Sequence, residues 1–207
     1  MKVAKGNFMG KPHVSSKKAS MLKMQGQVIQ LKVSLIESDP LIWRRIVVPA
    51  NMTLAKLHGV LQMVMGWQNS HLSRFEINNE PYCNDEREFD DEPETKPLTT
   101  KLGDIVEQAK TFLYIYDYGD NWQHEITVES ISKVEEAMQY PVCIGGENAC
   151  PPEDCGALSG YYEKLEEYFD KDHPEHESTK MWLGGYFDPK TFDPNRINRD
   201  MLWMKKW

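Results

Sequence analysis

Apolar and polar residues alternate along residues 27–37, which predicts a strand with one buried face. Four apolar residues share the buried side: Ile29, Leu31, Val33 and Leu35. The sequence ESDP interrupts the alternation, and the apolar run at 42–48 predicts a second strand that Pro49 ends. The pattern therefore predicts two consecutive strands directly after residue 26.

The spacing of apolar residues changes to that of a helix after residue 50. One helical face carries five of them: Leu54, Leu57, Leu61, Val64 and Met65. Thr53 or Asn51 would cap the start of this helix, and Gly66 suits a left-handed end. His58 lies on the apolar face, where we interpret it as a hydrogen-bonded core histidine rather than a ligand or catalyst.

Residues 111–118 and 122–131 predict a β-hairpin. A two-residue turn at Gly119 and Asp120 would join the strands, with glycine supplying positive φ. That turn sets three cross-strand pairs: Leu113 with Ile126, Ile115 with His124, and Asp117 with Trp122. Asp117 and His124 would then be diagonal neighbours on the core-facing side, about 7–8 Å apart.

The element order predicts the fold class. Residues 71–77 return to strand periodicity, and residues 84–94 form an acidic segment that we interpret as a solvated loop. Asp193 before Pro194 predicts a capped final helix running toward Trp207. We expect an α+β fold in which a mixed or antiparallel sheet packs against a central helix, with further helices near the C-terminus. A β-grasp-like core is one topology that fits this order.

Charge is unevenly distributed along the 207 residues. Residues 1–26 contain six lysines and no acidic residue, so residues 27–207 carry a net charge of −14 against −8 for the whole chain. We interpret 1–26 as a flexible basic tail and 27–207 as one domain. A domain with this much negative charge repels the phosphate backbone of nucleic acid, so only the lysine tail could attract it.

Neither a secretory signal nor a membrane-length apolar run is present, so we expect a cytoplasmic protein without a membrane partner. Three of the four cysteines, Cys143, Cys150 and Cys155, crowd one loop, and in a cytosolic chain such cysteines are free thiols or metal ligands. No cofactor is required by the sequence. If a metal binds, zinc held by these thiols and His124, or by His71 in its place, is the expected ion.

Asp117 and His124 are the candidate catalytic pair. A buried carboxylate must be paired or hydrogen-bonded, so Asp117 either pins the hairpin turn or acts as a general base or metal ligand. We expect this pair to lie beside Trp122 and near the loop that ends at Cys155. Four residues are candidate ligand-binding groups: Tyr116, Trp122, Glu153 and Asp154.

Several segments together resemble the plasmid pRi ORF-3-like family, some of whose relatives are labelled transposon passenger or TnpR-like proteins. In chain order they are LIWRRIVVP, TLAKLHGVLQMVMGWQNSHLSRFEI, YDYGDNWQHEI, CPPEDCG and GYYEKL. The similarity covers residues 27–202 and implies one α+β domain. The CGG of the family reads Cys155-Gly156-Ala157 here. The acidic domain lacks the activated serine and clustered arginines of a serine recombinase, so the resolvase label is not transferred.

Three functions follow from these observations. The first is a binding or accessory module without catalytic activity, linked to plasmids or mobile elements, whose partner is a protein or a small molecule. The second is a zinc-dependent hydrolase that uses Asp117, His124 and the cysteine loop. The third is a nucleic-acid accessory protein that acts through its lysine tail.

Overall fold

The computed structural model describes residues 26–83 and 95–202. It contains seven strands: β1 (Gln27–Leu35), β2 (Trp43–Pro49), β3 (Ser73–Ile77), β4 (Glu80–Tyr82), β5 (Thr111–Tyr116), β6 (Trp122–Lys133) and β7 (Val142–Glu147). They form one sheet in the order β4-β3-β5-β6-β1-β2-β7. All of its strand pairs are antiparallel, as β1 with β2 and with β6. The parallel central strands typical of a β-grasp fold are therefore absent from the named pairs.

Five helices complete the described part of the chain: α1 (Leu54–Met65), α2 (Leu102–Val106), α3 (Ala157–Phe169), α4 (His176–Trp182) and α5 (Pro194–Met201). The predicted α+β class is thereby confirmed. Within the described residues, no helix combines the length and the apolar character needed to cross a membrane.

Helix α1 supplies the helical side of the core. Its buried apolar residues, including Leu57 and Leu61, belong to the same cluster as Ile29 of β1 and Phe75 of β3. The Thr53 hydroxyl accepts a hydrogen bond from the Lys56 amide and caps the first turn. Gly66 ends the helix in the left-handed region at φ 82°. Both the buried face and the Gly66 stop agree with the prediction.

The predicted register of the β5–β6 hairpin is wrong by one residue. Tyr116 pairs with Trp122, Tyr114 with His124, and Phe112 with Ile126. Tyr114 and Tyr116 are fully buried, so they take the core positions predicted for Leu113 and Ile115. Because aromatic residues fill one face of β5 and aliphatic residues the other, the period-two pattern did not select the face correctly.

The predicted two-residue turn is also wrong, because five residues, 117–121, connect β5 to β6. Asp117 leaves the strand with φ 56°, and Asn121 has φ 52°, whereas Gly119 lies outside the positive-φ region. The Asp117 carboxylate accepts the Gly119 amide hydrogen at 2.9 Å. This side-chain-to-backbone bond is typical of aspartate in turns, and it replaces the glycine-based turn that we expected.

Helix α5 begins as predicted. The Asp193 carboxylate accepts the amide hydrogens of Asn195 and Arg196, and Pro194 occupies the first helical position. The described part of this helix ends at Met201, and its expected continuation toward Trp207 lies outside the described residues. The basic tail up to residue 25 and the acidic segment 84–94 also lie outside them.

Candidate metal centre

A histidine and two aspartates converge beside the β5–β6 connection. Nε2 of His71 lies 3.1 Å from Oδ1 of Asp154 and 3.6 Å from Oδ2 of Asp117. In the described part of the chain, these three residues form a group whose ligand atoms all lie within 4.8 Å of one another. His71 and Asp117 are partly shielded by the protein, while the Asp154 side chain is 72% exposed. The group therefore opens to solvent on its Asp154 side.

Strand pairing brings the first two members together. β3 begins two residues after His71 and pairs with β5, so that Ser73 lies opposite Tyr116. The Asp117 amide continues this ladder by donating to the Leu72 carbonyl at 2.9 Å. Asp117 and His71 therefore meet at the edge of the sheet where β3 begins and β5 ends.

The loop between β7 and α3 supplies the third member. Its contact with the hairpin turn is a hydrogen bond from the Gly156 amide to Oδ2 of Asp120, at 3.2 Å. Asp154 adopts φ 59° in this loop, and Asp117 adopts φ 56° across from it. Aspartate tolerates this left-handed conformation better than most residues other than glycine, so both residues suit their turn positions.

Glu153 and Tyr116 form a hydrogen-bonded layer next to the group. The Tyr116 hydroxyl donates to Glu153, and Glu153 also accepts the Gln68 amide hydrogen at 2.8 Å. Burial, together with the hydrogen-bonded carboxylate of Glu153, raises the pKa of Tyr116, so this hydroxyl remains protonated. Trp67 stacks on the Tyr116 ring at 5.0 Å, and its indole N–H donates to the Pro151 carbonyl. These bonds fix the loop that carries Asp154.

The geometry of His71 is unusual for a simple ion pair. Its Nε2 is shielded from solvent and makes no properly aligned hydrogen bond, although two carboxylate oxygens lie close by. In a tetrahedral site with metal–ligand distances of about 2.0–2.1 Å, neighbouring ligand atoms lie ~3.3–3.4 Å apart. The separations of 3.1 and 3.6 Å bracket that spacing. The third separation, between the two carboxylates, is no more than 4.8 Å, so the three atoms are close enough to share one cation.

His124 belongs to the core rather than to this group. It is fully buried, its Nδ1–H faces the Tyr114 carbonyl at 3.3 Å, and its ring meets Trp67 edge-on at 5.3 Å. Burial lowers the pKa of His124 to about 4, so the imidazole is neutral at physiological pH. Asp117 thus has His71 and Asp154 as its close partners, in place of the predicted pairing with His124. Trp122, also buried, packs against Trp67.

The predicted zinc site of three cysteines and His124 does not form. All four residues are described, yet their ligand atoms do not gather into a metal-sized group. Cys143 lies in β7, Cys150 contacts Arg44 and Met65, and Cys155 faces the carbonyl of Ala157. Burial raises the pKa of each of the three thiols, which disfavours the thiolate that zinc requires.

The structure assembles the candidate residues differently from the sequence prediction. Asp117, Asp154, Glu153 and Tyr116 were candidates and do come together. His71 was considered only as a partner for the thiols, because nothing local in the sequence shows that β3 pairs with β5. The interpretation of His58 as a hydrogen-bonded histidine is confirmed by its contacts at 2.7 Å with the Tyr114 hydroxyl and with Asn69.

Comparison with known proteins identifies relatives over most of the chain. Residues 27–196 match the family described as plasmid pRiA4b ORF-3-like protein. The uncharacterized protein y4hQ of Sinorhizobium fredii is 36% identical over 178 residues, which is 85% of this chain and 91% of that protein. The crystal structure of MM3350, a protein of unknown function from Methanosarcina mazei Go1, superimposes with a TM-score of 0.74.

MM3350 is 41% identical in sequence, and the match covers 82% of this chain and 97% of the other. Identity at this level over most of both chains implies a shared fold as well as a shared origin. The family match spans the sheet, the hairpin and the loop that carries Asp154. The chain therefore belongs to the plasmid pRiA4b ORF-3-like family.

Proposed function

We propose that this protein is a metal-binding module in which His71, Asp117 and Asp154 hold a divalent cation, with zinc as the expected ion. The observation that carries the proposal is the position of His71 Nε2, unbonded and 3.1 and 3.6 Å from two carboxylate oxygens. Simple surface pairing would align the imidazole N–H with one of the oxygens. A cation between the three atoms satisfies all of them at once.

The donor set favours zinc over other common cations. Calcium and magnesium take oxygen ligands, whereas an imidazole nitrogen combined with carboxylates suits zinc. Three protein ligands leave the fourth tetrahedral position free for water or for an atom of a bound partner. The exposed Asp154 side of the group is where such a partner would enter.

This arrangement supports the binding or accessory role inferred from the sequence. A metal with one free position can anchor a side chain or terminus of another molecule, and the plasmid in the family's name supports a setting in plasmid or mobile-element biology. A zinc-dependent hydrolase is the second candidate, because hydrolytic zinc centres also have three protein ligands and an open position. Its catalytic metal would be held by His71 and the two aspartates, not by the cysteines.

Metal analysis of the full chain, purified without a polyhistidine tag, tests the proposal. We expect about one zinc per chain, and we expect zinc titrations of EDTA-treated protein to show one saturable site. His71→Gln and Asp154→Asn should each weaken binding by about 10-fold or more, since each removes a ligand atom. A colorimetric assay of the zinc-loaded protein with bis(p-nitrophenyl) phosphate separates the hydrolase from the binding module.

The matched control is Glu177→Gln, which removes an exposed carboxylate that also lies near a histidine, His176, at 3.7 Å. This variant should bind zinc like the unmodified chain. If the protein takes up no zinc, or if both ligand variants bind it as tightly as the control, the proposed function is wrong.

A further inference from the structure

A cavity lies away from the proposed metal-binding group. It has a volume of about 490 Å³ and opens between the C-terminal end of α1, the loop after β7, and the segment from Tyr186 to Asp200. Cavities of roughly 300–1,000 Å³ are typical of small-molecule sites. None of the three metal-ligand candidates lines it.

Arg44 is the buried charged residue of this cavity. The residue is only 3% exposed, and no carboxylate of the described residues lies within ion-pair distance of it. Four of its five N–H groups donate to Val64 O, Trp43 O, Glu147 O and Cys150 Sγ. The remaining N–H, on Nη2, has no acceptor among the described residues. A buried charge without a counter-ion is costly, so an anionic group from a ligand would be stabilised here.

Aromatic and aliphatic side chains form the walls. The Phe192 ring lies over the Arg44 guanidinium at 4.9 Å, a cation–π contact. Phe187, Ile197 and Met65 also line the cavity and supply apolar surface. Such walls would accept the hydrocarbon or aromatic body of a ligand whose anionic end reaches Arg44.

Both signs of charge occur on the more exposed parts of the cavity. Arg196 and Asp200 of α5 line it, and neither forms an ion pair within the described part of the chain. Asp188 and Asp193 also line it, but their carboxylates accept backbone amide hydrogens, Asp188 from Lys190 and Asp193 in capping α5. An isolated anion would be repelled by the aspartates, and an isolated cation by Arg44. A molecule that carries both charges matches the cavity.

We infer that this cavity binds a small zwitterion of the amino-acid type, with its carboxylate directed to Arg44 and Arg196 and its ammonium directed to Asp200. The apolar walls around Phe187 and Phe192 would take an aromatic or branched aliphatic side chain. The inference is independent of the metal-binding proposal, since the two sites share no residue.

Calorimetric titration with three phenyl compounds tests this inference. The probes are L-phenylalanine, 3-phenylpropionate, which lacks the ammonium, and 2-phenylethylamine, which lacks the carboxylate. Titrations contain EDTA, so that an amino acid cannot bind through a metal ion. We expect a dissociation constant below about 1 mM for L-phenylalanine and values roughly 10-fold or more higher for both analogues.

Variants of α5 connect binding to the cavity. Arg196→Gln and Asp200→Asn, both at exposed positions that tolerate substitution, should each weaken L-phenylalanine binding about 3-fold or more. The control is Arg199→Gln on the same helix, which does not line the cavity and should change binding less than twofold. Asp154→Asn should also bind L-phenylalanine normally.

Three results would each overturn the inference. One is the absence of saturable binding up to about 10 mM L-phenylalanine. Another is an analogue that binds as tightly as the zwitterion, because the cavity would then not recognise both charges. The third is equal binding by the Arg196, Asp200 and Arg199 variants, which would place the bound amino acid elsewhere.

Discussion

Asp117 has a structural role in the hairpin turn and is also a ligand in the proposed metal site. Its positive φ and the hydrogen bond from the Gly119 amide to Oδ1 define the turn after β5. Its other oxygen, Oδ2, faces His71. The turn role and the proposed metal-ligand role, which the sequence presented as alternatives, are therefore compatible, because the two oxygens of one carboxylate have different neighbours.

Ala157 is a residue whose backbone conformation conflicts with its side chain. It adopts φ 62°, in the left-handed region that costs an L-residue about 1–2 kcal/mol. Ala157→Gly removes that cost, but glycine also raises the conformational entropy of the unfolded chain, which lowers stability by about 0.4–1 kcal/mol. We therefore expect a net gain of roughly 0.5–1 kcal/mol in the free energy of unfolding, measured by urea denaturation.

Ala55→Gly provides the control for this prediction, because Ala55 is exposed within α1 and has an ordinary helical conformation. It should lose about 1 kcal/mol. Equal losses in the two variants would show that the backbone of Ala157 is not strained.

His124 makes the stability of the protein depend on pH. Its pKa falls from 6.5 to about 4 on folding because burial disfavours the charged imidazole. The unfolded chain therefore binds more protons between these values, and stability should fall as the pH drops from 6.5 toward 4. The free energy of unfolding can be measured with urea at several pH values. Between pH 6.5 and 4, it should fall by roughly 3 kcal/mol more in the unmodified protein than in His124→Gln. Parallel pH profiles would exclude His124 as the cause.

At the scale of elements, the packing of α1 makes a testable contribution to stability. Leu61 is 1% exposed and packs in the main core. Leu61→Ala should lower the free energy of unfolding by about 2–5 kcal/mol, because it removes buried surface and leaves a cavity. Lys56→Ala, on the exposed side of the same helix, should change it by less than about 0.5 kcal/mol. Similar losses in both variants would contradict the assigned packing face.

Helix α1 was predictable because its signals are local. Leu57 and Leu61 recur at helical spacing, and Thr53 and Gly66 mark the ends within the same short segment. The β5–β6 register was not predictable in this way. Ile115 and Tyr116 are both buried although they point to opposite faces, so apolar alternation cannot identify the core side of β5.

The candidate site was predictable only in part, for a related reason. Asp117 and Asp154 are conspicuous in the sequence, but their partner His71 reaches them through the pairing of β3 with β5. The close spacing of the cysteines suggested a different set of ligands. That spacing does not show that Cys143 lies within β7, apart from the other two thiols. Long-range pairing, rather than residue type, decided which groups meet.

At the scale of the whole molecule, the proposed site joins three distant parts of the chain. His71 precedes β3, Asp117 follows β5, and Asp154 lies in the loop before α3. A cation bound by all three residues binds the folded chain and has no equivalent site in the unfolded one. Metal binding should therefore raise the Tm of the protein, in addition to giving a defined metal content per chain.

We expect zinc at about 100 times its dissociation constant to stabilise the fold by ~2.7 kcal/mol. For a chain of this size, that energy corresponds to a rise of roughly 5–10 °C in Tm, measured by calorimetry of EDTA-treated protein before and after zinc addition. His71→Gln should lower the rise by about half or more, because binding that is 10-fold weaker leaves only ~1.4 kcal/mol at the same zinc concentration, whereas Glu177→Gln should retain it in full. Magnesium at the same concentration should have little effect on Tm, since this ion does not favour an imidazole ligand. An undiminished rise in His71→Gln would mean that zinc stabilises the protein from a different position, and the three segments would then not be joined by a common ion.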